Sequence, residues 1–280
     1  MPINQYFFQI ILGTYDRSSA LYLLRNDKDC LQLILNEVAK CWKLHIDTSK
    51  ESMHIFDKAI RFPEPLTDIN GEFKTVNVNL MPFVFTYDVT EMDLPPELIR
   101  YSDLIKECTM ILDSSYEEIC YLTVHESYVE PEKSQRRSGL HTESPGQFRI
   151  GGGEISTFRW GCGVASNAKT FEGGIIMASN VSNTCHVWNA QIQEINSTSV
   201  IGDLGDIEHL RSVLGPYISV PANRLVWITD LTPHESVPLK ERAFRQYFRI
   251  VTKMDGWEQI FERRYKIQYV LNLCDCASHL

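Results

Sequence analysis

The sequence predicts an α+β protein that is mainly β, a closed or sandwich-like antiparallel barrel with helices packed on its outside. Three observations predict it. Strand-like runs follow one another at 118–129, 137–141, 154–160, 173–179, 184–190, 197–202, 224–230 and 243–252, with glycine-rich or polar loops such as Gly151-Gly-Gly153 and Gly161-Cys-Gly163 between them. Helical periodicity is concentrated ahead of and behind these runs. No internal repeat, low-complexity tract or linker divides the chain, so its 280 residues are expected to form a single domain.

The elements are justified in order. Residues 27–42 place Leu31, Ile34, Leu35, Val38 and Trp42 on one face, the spacing of an amphipathic helix. Residues 47–72 are polar and turn-rich, with Pro63, Pro65 and Asn70-Gly71, and are expected to be irregular up to a hairpin-type turn. Val76, Val78 and Leu80 alternate before Phe83-Val-Phe85, which predicts a strand or two over 74–87, with Pro82 marking an edge or a break. Pro95-Pro96 opens a second helix to about residue 112, with Leu98, Leu104, Ile105, Cys108 and Ile111 inward. A short helix is expected at 206–214 and a final one at 256–273. Residues 1–117 are thus a helical elaboration, 118–252 the β core, and 253–280 a helix and tail.

Composition excludes several classes. An apolar fraction of 44% with 22% charged residues is that of a globular chain, neither disordered nor fibrous. The 27 basic and 36 acidic side chains leave a net charge of -9, which disfavours nucleic acid as a partner; a compact basic cluster, Arg136-Arg137, stands next to the candidate site. No run is long enough for a membrane helix, and the apolar stretch at 6–12 is short and lacks a basic leader. The 8 cysteines are scattered, outside C-x-x-C pairs, and fit reduced thiols in a cytoplasmic or nuclear setting. The terminal Ser-His-Leu is a relaxed form of a peroxisomal address, with a frayed tail the preferred explanation.

The chemistry concentrates in Arg137-Ser-Gly-Leu-His141-Thr-Glu143-Ser144 and in Asp230-Leu-Thr-Pro-His234. Two imidazoles and a carboxylate are what a facial triad for non-haem Fe(II) requires, leaving coordination positions open for other ligands. His141 and Glu143 can face one ion if the histidine ends a strand and the glutamate begins the turn supplied by Ser144-Pro145-Gly146. His234 follows the strand-like Arg224-Leu-Val-Trp-Ile-Thr-Asp230, and Arg245 lies in another strand, sharing a face with Tyr247 and Arg249. His125 and His186 lack an acidic partner at the right turn and are expected to be structural, while His45 and His209 are expected to be solvated.

These residues, in this order, with Gly173-Gly174 opening a strand between them, resemble the double-stranded β-helix (jelly-roll, cupin-like) core of the 2-oxoglutarate- and Fe(II)-dependent oxygenases, over residues 118–252. The resemblance implies that His141, Glu143 and His234 bind iron and are the catalytic centre. It implies that Arg245 pairs with the distal carboxylate of 2-oxoglutarate, whose planar match to a guanidinium allows two parallel bonds. Tyr247 stands where the family carries a small hydroxyl and can supply its phenol there. Arg249 takes either an anionic group of the substrate or the cosubstrate itself, and Arg137 is a second candidate for substrate contact. Glutamate as the acidic ligand is similar to the clavaminate synthase and amino-acid hydroxylase branch, and its presence disfavours halogenation. The implied activity is hydroxylation or desaturation of an unactivated C–H bond with O2, releasing succinate and CO2. A small, amino-acid-like or carboxylated molecule is the expected substrate. The alternatives are a protein side chain, or a non-catalytic barrel with a vestigial metal site. The polar stretch 130–138 is long enough to act as a lid.

Overall fold

The structure is a computed structural model that describes residues 28–85, 94–112, 118–143, 146–149, 155–166, 170–193, 200–252 and 254–255. Within them the chain is mainly β, built of antiparallel sheets with few helices. The principal sheet has seven strands. Its main path runs β2 (Met53–Ala59), β12 (Arg224–Ile228), β8 (Thr170–Ser179), β14 (Ala243–Thr252), β4 (Glu118–Val129) and β3 (Val76–Phe85), and β7 (Gly163–Ser166) pairs with β8. A smaller sheet orders β11 (Ile218–Ser219), β9 (Cys185–Val187) and β13 (His234–Ser236).

The period of two explains how one sheet serves both core and site. Leu122, Val124, Ile176, Ala178, Phe248 and Ile250 point to one face, where they pack with Leu98, Leu104, Ile105 and Cys108. Those four come from a 3-10 turn, Pro96–Tyr101, and from α2 (Ser102–Ile111), the second of two described helices; α1 is Lys28–Leu44. The alternate residues Tyr121, Ile175, Met177, Tyr247 and Val251 form a second cluster with Cys185 and Val187 of the smaller sheet. Arg245 and Arg249 have this same parity in β14, so they enter the space between the sheets. The second α-helix thus covers the back of the sheet, and the front is left for polar chemistry.

A third cluster, Leu140, Trp188, Ile192, Ile207, Leu210 and Leu214, lies beside the His141 segment, with the half-buried Trp42 of α1 packed against it. No described helix is long and apolar enough to cross a membrane.

Several sequence expectations are revised. Residues 47–72 contain β2, an edge strand paired with β12; its alternation is obscured by His54, Asp57 and Lys58, which an edge strand leaves partly in solvent. The expected strand at 137–141 is a loop, with isolated bridges from His141 to His234 and Asp206 and with Ser236 N–H donating to Arg137 O at 3.4 Å. At 206–214 there is a 3-10 turn, Glu208–Leu210, followed by a turn. The expected strand at 197–202 is irregular at 200–202, and the rest of it, like the helix at 256–273, the tail and Ser144-Pro145, lies outside the described residues. The 130–138 stretch is tied down rather than free to swing. Glu132 N–H donates to Leu239 O at 2.8 Å, Leu239 N–H to Lys133 O at 3.0 Å, and the Gln135 amide to Arg245 O at 2.9 Å.

Candidate functional site

Backbone pairing brings the two histidines together. His141 N–H donates to His234 O at 3.0 Å and His234 N–H to His141 O at 2.9 Å, a reciprocal antiparallel pair that sets the rings 4.4 Å apart between centroids. His234 opens strand β13, after the turn 229–233, rather than closing β12. The segment is fixed from both sides: Thr142 N–H donates to Gly205 O at 2.9 Å and Glu143 N–H to Asp230 O at 3.0 Å. So held, His141 and Glu143 both line the same cavity.

The ring tautomers follow from their partners. His141 Nδ1 lies 2.8 Å from Gly139 O and His234 Nδ1 lies 2.9 Å from Thr232 O. A carbonyl oxygen can only accept, so both Nδ1 atoms carry a proton, and each ring in its neutral form keeps its Nε2 lone pair for a metal. Burial, with the His234 ring alongside, lowers the His141 pKa to about 3, which keeps that imidazole neutral. Imidazoles held through Nδ1 by backbone carbonyls, as both of these are, present Nε2 as histidine does when it binds metal.

Glu143 completes the donor set in identity, and it is also engaged elsewhere. Its Oε1 is 3.8 Å from His234 Nε2 and is ion-paired with Arg249 Nη1. Burial alone would raise the Glu143 pKa; the Arg249 guanidinium and the two histidines outweigh it and hold the carboxyl well below its ordinary value. Because the carboxylate is turned to Arg249, among the described residues no three His, Cys, Asp or Glu side chains stand as a closed metal cluster. The residues nonetheless fit a divalent ion chemically: two imidazole lone pairs and an ionised carboxylate open on one cavity.

Around them lies a cavity of about 190 Å³ whose walls come from both sheets and include His141, Glu143, His234, Arg245, Tyr247 and Arg249. The expected site residues, Arg137 among them, are therefore all brought to one cavity. Arg245 is 1% exposed; its Nε donates to Ser179 Oγ at 3.1 Å, and among the described residues it has no carboxylate partner. Burial lowers its pKa to about 10, so it remains cationic at neutral pH. The Tyr247 ring has the guanidinium carbons of Arg136 and Arg245 at 5.2 and 5.4 Å from its centroid, and its hydroxyl lies 4.0 Å from Met177 Sδ. Arg137 donates to Leu204 O from the exposed rim.

Three participants were not found by sequence reasoning. Ser179 on β8 holds Arg245, Gln135 holds the Arg245 carbonyl, and Ser236 exposes a buried hydroxyl without a partner to the cavity. Only Ser236 carried a signal, its position two residues after His234 on the same strand face. His186 sits outside the cavity, stacked on Tyr217 at 3.8 Å, with Glu235 at 3.3 Å as an acidic neighbour. His45 is buried rather than solvated, its Nδ1 2.8 Å from Gln193 O, and His209 packs edge-on to Trp42 at 5.2 Å.

No family model matches the chain, and no curated protein matches it. Among solved structures, the iron-bound crystal structure of HygX from Streptomyces hygroscopicus aligns over 61% of this chain and 72% of that one, with 8% identity and a TM-score of 0.36. Similarity that low assigns neither an activity nor a role to any residue.

Proposed function

We propose that the chain is an Fe(II)- and 2-oxoglutarate-dependent oxygenase, its two sheets forming a double-stranded β-helix, acting on a small molecule. One observation carries this reading: two imidazoles with Nε2 lone pairs and an ionised Glu143 share a cavity with Arg245, a buried cation that no described carboxylate neutralises. A buried guanidinium without a counter-charge is costly unless a ligand supplies one. The distal carboxylate of 2-oxoglutarate is such a ligand, since Arg245 and the donor set line one cavity.

In this reading His141, Glu143 and His234 would hold the iron. The bound metal with 2-oxoglutarate and O2 would supply the oxidation of an unactivated C–H bond, with release of succinate and CO2. The chain's own residues do the rest. Gly139 and Thr232 carbonyls orient the imidazoles. Ser179 and Gln135 fix Arg245 through its Nε and its carbonyl, so that the fork is set before the cosubstrate arrives. Arg249 keeps Glu143 ionised, and the pinned stretch over the mouth, through Arg136 and Arg137, limits water and narrows the entrance.

The test is an anaerobic titration of the Fe(II)-loaded protein with 2-oxoglutarate, read as the visible charge-transfer band of the chelate. Wild type should develop the band, His141→Ala should lack it, and Arg245→Ala should need roughly tenfold to a hundredfold more 2-oxoglutarate. A wild-type protein that binds Fe(II) but develops no band at millimolar 2-oxoglutarate would leave the non-catalytic barrel as the better reading.

A further inference from the structure

We propose that the substrate is an anion and that Arg136, with Arg249 beside it, forms an oxyanion subsite separate from Arg245. The word substrate rests on the reading above; the subsite does not.

The chain carries a net charge of -9, yet Arg136, Arg137, Arg245 and Arg249 all line one cavity of about 190 Å³ against the single carboxylate of Glu143. Like charges gathered at low dielectric repel, so such a set is retained where anions will fill it. The proposed metal and cosubstrate do not use it up. A dication, Glu143 and dianionic 2-oxoglutarate together leave one negative charge, which Arg245 cancels. Arg249, which shares Glu143 with the metal, and Arg136 and Arg137 are then in net positive excess.

Geometry distinguishes Arg136 from its neighbours. Arg137 lies at the exposed rim and already donates to Leu204 O. Arg136 is half-buried over the Tyr247 ring at 5.2 Å and has no hydrogen-bond acceptor among the described residues. The residue before it, Gln135, is bonded to Ser127 Oγ at 3.0 Å and to Arg245 O at 2.9 Å, so the guanidinium is presented from a fixed backbone. On the same cavity, Arg249 Nε and Ser236 Oγ are buried donors without partners. Guanidinium forks and a hydroxyl suit the oxygens of a carboxylate, a sulfonate or a phosphate.

The experiment titrates acetate, methanesulfonate and inorganic phosphate into the metal-free, full-length protein by calorimetry, against chloride at matched ionic strength. It is run on Arg245→Gln, which removes the other anion site, and on the Arg245→Gln/Arg136→Gln double variant. The single variant should bind at least one of these probes, and the double variant should bind it about tenfold to a hundredfold more weakly. Replacing Arg136 by Lys instead should restore part of the loss. The probe that binds most tightly names the anionic group. No binding beyond chloride in the single variant, or equal binding in the two, overturns the subsite. If Arg245→Gln does not fold by circular dichroism, wild type is compared with Arg136→Gln, and loss of one of two binding equivalents decides in the same sense. Because no metal is present, intact oxyanion binding alongside absent iron chemistry would overturn the oxygenase and leave the subsite standing. In the iron-loaded enzyme, small acids but not their methyl esters should then accelerate succinate release.

Discussion

Gly205→Ala should disable the site from outside it. Gly205 has φ +82, and a Cβ there would lie 2.0 Å from the carbonyl oxygen of Thr142 and 3.0 Å from its carbonyl carbon. Ordinary contact begins at 3.4 Å, so the two backbones would have to part by more than an ångström. Thr142 is the residue between His141 and Glu143, and its N–H bond to Gly205 O would be lost in the process. The left-handed conformation costs about 1–2 kcal/mol for an alanine and the lost bond about 1 kcal/mol, giving roughly 2–4 kcal/mol with the residual clash. A displacement of this size at the donor set should also reduce turnover by roughly a hundredfold. Gly71→Ala is the matched control, since Gly71 has φ +82 but open space around a Cβ and lies outside the cavity lining, so only the conformational part of about 1–2 kcal/mol applies. Urea unfolding gives the stability of both variants, and titration with Co(II), which does not oxidise readily, gives their metal affinity. If Gly205→Ala matched Gly71→Ala in both, the supporting role of the 205–208 segment would be wrong.

Other expectations follow from the same geometry. Ser179→Ala removes the acceptor of Arg245 Nε and should raise the KM for 2-oxoglutarate about three- to tenfold with little change in kcat, as steady-state kinetics would show. Glu126 is fully buried between Tyr101, Arg100 and Gln246, so Glu126→Ala should cost about 3–5 kcal/mol in urea unfolding while leaving metal affinity in the folded protein unchanged. Glu208 accepts from Arg211 Nη2 at 2.8 Å and from Leu140 N–H at 3.0 Å, and the Arg211 bond holds its carboxyl below the ordinary value. Its contribution is therefore present at neutral pH and lost as pH falls below the ordinary carboxyl value through the lowered one. Glu208→Gln should be less stable than wild type at pH 7, by no more than about 1 kcal/mol for so exposed a pair, and the gap should narrow on acidification.

The parts of the site that were legible in sequence are those fixed by local spacing. His141 and Glu143 are two apart, and Arg245, Tyr247 and Arg249 alternate along one strand face, so a period of two suffices to align each set. The long strands β4, β8 and β14 were legible because each is a long run, buried almost continuously and rich in β-branched and aromatic residues. What was not legible depends on pairing between distant segments. Gly205, Asp206 and Asp230 flank the His141 segment through backbone bonds that carry no side-chain signature. The Arg249 and Glu143 ion pair joins residues 106 apart, and Ser179 reaches Arg245 across 66. Strand β2 was missed because an edge strand with one solvent face tolerates the charged residues that otherwise mark loops.

The central claim is tested most directly by succinate formation. Protein loaded anaerobically with Fe(II) is given 2-oxoglutarate and air, and wild type is compared with His141→Ala and Arg245→Ala. The expected result is slow succinate release by wild type even without its substrate, abolished in His141→Ala and rescued only by high 2-oxoglutarate in Arg245→Ala. Succinate at equal rates in wild type and His141→Ala, or none from a wild-type protein that binds both Fe(II) and 2-oxoglutarate, would contradict it.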